Sequence, residues 1–111
     1  MKKYRLDDFT RGWFVGDFSP TIIRTQDVEV AVQKFEAGTE EAEHVHKVAT
    51  ELTLILSGRV EISGVEYQAG EIVEIPPGEY ARFKAIEAST TVVVKYPGAK
   101  NDKYLKGHQC D

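Results

Sequence analysis

Cysteine is nearly missing from this 111-residue chain: Cys110 is the only one, so no disulfide can form within it. No apolar run approaches the roughly 20 residues that span a bilayer. Met1-Lys2-Lys3 is not followed by the hydrophobic segment of a secretory signal. A cytoplasmic protein without a membrane partner is therefore expected. Clustered positive charge is also lacking. The 14 Lys and Arg are dispersed, with only Lys2 and Lys3 adjacent, and the formal net charge is -4. Neutralising a phosphate backbone needs basic side chains gathered on one face, so nucleic acid is excluded as an expected partner.

Helical periodicity is the remaining absence. Short alternating or β-branched segments bounded by Gly and Pro recur about every ten residues instead, the pattern of an all-β sandwich or barrel. Seven read as strands: 28–35, 51–56, 59–62, 65–68, 71–75, 80–85 and 90–95. Ser57-Gly58 and Ser63-Gly64 suit tight hairpins, because Gly reaches the positive φ those turns require. So short a chain encloses one core. We expect a single domain over 1–111, with a barrel over about 28–96, an N-terminal extension over 1–27 and a polar tail over 97–111, loosely held from Lys100 onward. Trp13, Phe14 and Phe18 form an aromatic cluster expected to cover a barrel end or a dimer seam rather than to bind a ligand.

Two of the three histidines stand as His44-Val45-His46, followed after four residues by Glu51. On an extended chain, residues two apart point to the same side, so the imidazoles project together. A carboxylate beside them completes three ligands for Fe, Mn, Ni, Co or Zn and leaves coordination sites open. Taken alone, a His-x-His pair is a common surface occurrence. Its surroundings carry the assignment.

Gly38, five residues, His44-Val45-His46, four residues, Glu51, six residues and Gly58 reproduce the first cupin motif without a gap. Gly70, five residues, Pro76, one residue and Gly78 reproduce the opening of the second. The chain thus resembles a small single-domain cupin. The resemblance implies a double-stranded β-helix, a jelly-roll-like barrel with a divalent transition metal on His44, His46 and Glu51. It departs where the family's usual third histidine would fall, which is Ala81, and where its usual asparagine would fall, which is Ala85. Three readings stay open: a three-ligand site with extra water, a site completed by Tyr67 or Gln68, or a barrel that has lost its metal.

By motif placement Ala81, Phe83 and Ala85 look into the barrel, and Thr53 and Ile55 share the face of Glu51. These five are expected to line a pocket widened by the two alanines. Tyr80, Arg82 and Lys84 fall on the opposite face. Glu40, Glu41 and Glu43 read as a solvated loop, and His108 and Cys110 as inert tail residues. Arg24, Arg59 and Arg82 are each able to fork onto an anionic group. The resemblance implies a metal-dependent small-molecule enzyme, of the carbohydrate or nucleotide-sugar isomerase, epimerase or lyase type or an oxygenase. The alternative is a non-catalytic module that binds a sugar or other small molecule. A homodimer is expected, joined through the apolar outer positions Leu52, Leu54 and Leu56.

Overall fold

The computed structural model describes residues 1–105. His108 and Cys110 lie outside the described residues. Two short 3-10 turns, Leu6–Asp8 and Thr10–Gly12, precede ten strands. These are β1 (Trp13–Val15), β2 (Glu29–Phe35), β3 (His44–His46), β4 (Thr50–Ser57), β5 (Arg59–Ile62), β6 (Val65–Gln68), β7 (Ile72–Ile75), β8 (Phe83–Ala85), β9 (Ser89–Tyr96) and β10 (Lys103–Leu105). All pairings between them are antiparallel. Among the described residues no helix is long and apolar enough to cross a membrane.

One layer is a five-stranded sheet in the order β1-β2-β9-β4-β7, and the other contains β6-β5-β8. The second layer is prolonged by a bridge from Ala81 to His44, which leads to the pair β3-β10. Alternation drives the closure. In β4, Thr53 and Ile55 are buried while Leu52 and Leu56 face out, and in β9 Ser89, Thr91 and Val93 are buried in turn. Their inward faces meet Val60, Ile62, Phe83 and Ala85 of the opposite layer in one apolar core. Phe35 stacks on Phe83 with ring centroids 4.6 Å apart.

Gly58 joins the two layers between β4 and β5 at φ +85°. A Cβ there would strike the Ala88 carbonyl and the Ser89 hydroxyl, so sterics demand glycine twice over.

All seven expected segments contain strands, with one departure of substance. The segment 80–85 is regular only from Phe83, because Ala81 pairs with His44 outside the β5 ladder. Three strands fall outside the expected segments, β1, β3 and β10. Each is three residues long, too short to show a period of two, and each is held by pairing, β1 with β2 and β3 with β10. The tail is therefore not loose up to Leu105. On the outer side of the larger sheet, Leu52, Leu56 and Ile72 stay 39%, 57% and 64% exposed, forming an uncovered apolar face.

Candidate metal centre

The strand that carries the histidines is held on both edges. The His44 N–H donates to the Ala81 carbonyl at 3.0 Å, and the Ala81 N–H returns a bond to the His44 carbonyl at 2.8 Å. On the other edge β10 pairs residue for residue, Lys103 opposite His46 and Leu105 opposite His44. With Val45 turned away, both imidazoles project to one side. The chain then turns before β4 begins. That turn is fixed by Asp102, whose buried carboxylate accepts from the N–H groups of Lys47 at 2.9 Å, Val48 at 3.0 Å and Ala49 at 2.8 Å. Glu51 follows immediately on β4. The Thr53 hydroxyl donates to its Oε2 at 3.0 Å and sets the carboxylate's orientation.

One ligand atom from each of His44, His46 and Glu51 lies within 4.8 Å of the others. That cluster could hold a metal ion. The chemistry of the donors fits. His44 Nδ1 is 3.1 Å from the Ala42 carbonyl; a carbonyl only accepts, so Nδ1 carries a hydrogen and Nε2 is the nitrogen whose lone pair the neutral tautomer offers to a metal. A backbone acceptor behind a ligating imidazole is the usual way its ring and tautomer are fixed. His46 Nε2 is buried without a hydrogen-bond partner among the described residues, an arrangement that costs free energy unless something satisfies it. His46 Nδ1 is 3.7 Å from Glu51 Oε1, too long for a hydrogen bond.

Nor is that approach an ion pair. Burial, followed by the charge of Lys95 and the neighbouring His44, pushes the His46 pKa down to about 4. The ring is neutral at pH 7, the form in which imidazole ligates metals.

Two cavities adjoin the cluster. The larger, of about 680 Å³, opens toward the N-terminal segment, and the smaller, of about 30 Å³, lies between His44, Glu51, Ala81 and Phe83. The smaller has room for one or two waters. Of the five expected pocket residues, Thr53, Ala81 and Phe83 line this small space. Ile55 and Ala85 have no exposed surface and lie in the core cluster. The alanines do not open a wide pocket, since Phe35 packs onto Phe83 and Tyr67 onto the core beside it. Tyr67 and Gln68 line neither cavity.

The roomy side is elsewhere. Trp13 and Phe18, with ring centroids 6.5 Å apart, wall the larger cavity, whereas Phe14, the third member of the expected aromatic cluster, packs on Phe9 instead. Glu41 lines both cavities, which sets it apart from the solvated loop expected of the acidic run. The three candidate arginines do not reach the site. Arg24 pairs with Asp17 at 3.4 Å and Arg59 with Glu87 at 3.1 Å, while Arg82 is exposed on the far side. Lys95 and Lys103 line the larger cavity in their place. The signal for Lys95 lay in the period of two, which turns it inward with Thr91 and Val93. Burial lowers its pKa, with Glu51 and Glu29 opposing that shift.

The architecture is a double-stranded β-helix, the fold of the cupins, and solved structures of that class resemble it. A double-stranded β-helix protein from Klebsiella pneumoniae superposes with a TM-score of 0.70 at 23% identity, over 94% of this chain and 90% of its own. A RmlC-like cupin from Shewanella frigidimarina gives 0.60 at 20% identity, over 70% of this chain and 72% of its own. Oxalate decarboxylase from Bacillus subtilis gives 0.63 at 16% identity, over 73% of this chain and 24% of its own. No family model and no curated protein matches the chain.

The neutral His46 makes stability depend on pH in metal-free protein. An unfolded chain protonates this ring near pH 6.5 and the folded one only near pH 4, so between those values the unfolded state binds more protons. Stability is undiminished above pH 6.5 and falls as pH falls through that window. Urea unfolding of chelator-treated protein should lose about 2 kcal/mol from this group between pH 7 and pH 5, at roughly 1.4 kcal/mol per unit. His46→Gln should remove that increment from the slope; parallel slopes in the two proteins would contradict the assignment.

Proposed function

We propose that the protein is a metal-dependent small-molecule enzyme in which His44, His46 and Glu51 hold one divalent transition metal, Fe, Mn, Ni, Co or Zn. The observation that carries this reading is the cluster of His44, His46 and Glu51, whose ligand atoms lie within 4.8 Å of one another, with a buried, neutral His46 among them. When bound, the metal would supply Lewis-acid polarisation of a carbonyl or activation of a bound oxygen ligand.

The chain's own residues do the rest. The Ala42 carbonyl and the Thr53 hydroxyl hold His44 and Glu51 in ligating orientation. The small cavity beside Ala81 accommodates water where the family's usual third histidine would stand, in keeping with three protein ligands completed by solvent. Tyr67 and Gln68 line neither cavity and so do not support the reading in which they complete the site. The larger cavity is of a size that encloses small-molecule ligands. A carbohydrate or nucleotide-sugar isomerase, epimerase or lyase fits these dimensions, as does an oxygenase.

Elemental analysis of protein purified without a histidine tag tests the centre. Near one equivalent of a transition metal is expected in the wild type, and less than a tenth of that in His46→Ala. If neither protein carries metal and none is taken up on addition, the reading moves to a metal-free binding barrel.

The uncovered face around Leu52, Leu56 and Ile72 supports a homodimer. Sedimentation equilibrium should give twice the chain mass, and Leu52→Lys combined with Leu56→Lys should give the monomer. A monomeric wild type at micromolar concentration would rule the dimer out.

A further inference from the structure

Lys95 occupies an unusual place in this molecule. It stands on β9 directly between two carboxylates, opposite Glu29 of β2 on one side and Glu51 of β4 on the other. Even so, no carboxylate oxygen among the described residues lies within ion-pair distance of its ammonium. The group sits instead over the indole of Trp13, 4.8 Å from the ring centroid, a contact that holds a cation by the ring's quadrupole while leaving its N–H donors available. Trp13, Val93 and Lys95 all line the larger cavity together with His44, His46 and Glu51.

Of the other charged side chains that line this cavity, Glu41 and Arg11 contribute one of each sign, and most of the rest are committed. Asp102 is used by three backbone N–H groups. Asp17 accepts from Gln26 and pairs with Lys100 at 3.3 Å and with Arg24. Glu51 belongs to the metal-ligand cluster. Glu29 is half-buried, and burial raises its pKa while Lys95 opposes that shift. Lys103, set opposite His46, adds a second cation to the same wall. A partly buried ammonium on an apolar wall, with donors free and a second cation nearby, is built to receive an anion.

We propose that Lys95 is the anion subsite of the larger cavity: it receives a carboxylate of the small-molecule ligand, whose apolar body lies along Trp13 while its remaining polar end faces His44, His46 and Glu51. The last part of this assignment rests on the metal reading above, whereas the carboxylate contact does not. The substrate class is accordingly a small carboxylic acid with a compact apolar or ring-shaped body. Lys95 acts as a binding and positioning residue.

Trp13 is the only tryptophan in the chain, so its emission reports directly on this subsite. The test titrates full-length protein with cyclohexanecarboxylate and with cyclohexanecarboxamide, which has the same shape without the charge. Both metal-loaded and chelator-treated samples are used. The carboxylate should change Trp13 emission saturably, with the carboxamide binding at least tenfold more weakly. Lys95→Met should weaken carboxylate binding at least tenfold, and Lys95→Arg should keep it within about threefold. Equal binding of acid and amide to the wild type would overturn the subsite, as would no saturable response to the acid. Unchanged affinity in a Lys95→Met protein with wild-type circular dichroism would do the same. The acid-amide comparison decides the matter even if Lys95→Met fails to fold. Carboxylate binding that persists after chelation upholds the subsite whatever becomes of the metal. Absence of metal uptake bears on the metal reading alone.

Discussion

The site depends first on the carboxylate of Asp102. His46 ends one strand and Glu51 stands near the start of the next, so the turn at residues 47–49 decides whether imidazole and carboxylate meet. Three successive N–H groups of that turn point inward toward a single buried side chain. Without that acceptor the Ala49 N–H would be unpaired in the interior, a penalty of about 1–3 kcal/mol, while the part-buried Lys47 and Val48 groups would be left to solvent. The same bonds draw β10 against β3, so one carboxylate fixes the ligand-bearing strand and closes the wall that carries Lys103. Hydrogen-bonded to three donors, the Asp102 carboxylate is buried and its acceptor capacity is used within the fold.

Around that turn the polar groups of the interior divide into two kinds. Some are satisfied and serve to orient: Ala42 behind His44, Thr53 beside Glu51, Ser89 bonded to the Arg59 and Glu87 carbonyls. Others are buried or half-buried and left without a close hydrogen-bond partner among the described residues: His46 Nε2, the Thr91 hydroxyl and the Lys95 ammonium. The satisfied groups hold geometry. His46 and Lys95 line the larger cavity beside Glu51 and Thr91 lines the smaller one, so each unsatisfied group borders space that water or a ligand can fill.

Much of this was legible in the sequence because it is local. Strand alternation and the Gly and Pro punctuation of turns act over a few residues, and they marked every long strand. The spacing of His44, His46 and Glu51 is likewise a property of one strand, one turn and the next strand. Asp102 and Lys95 were not legible in the same way. Their roles arise from pairings across the fold, β10 with β3 and β9 with β4, in which Asp102 meets an amide 55 residues away. Ile55 and Ala85 show a subtler limit. Alternation correctly turned both inward, but it does not encode depth along the barrel, and both lie one layer below the cavities. The two alanines left volume that Phe35 and Tyr67 reclaim by packing from other strands, so substitution to a small residue did not translate into open space.

Anomalous diffraction from crystals of the metal-loaded protein tests the central claim most directly, because it locates the ion rather than counting it. The account predicts one dominant peak per chain, about 2.0–2.3 Å from a ring nitrogen of His44, a ring nitrogen of His46 and a carboxylate oxygen of Glu51. A peak elsewhere in the chain, or none between these three side chains in crystals shown by fluorescence to contain the metal, would contradict it.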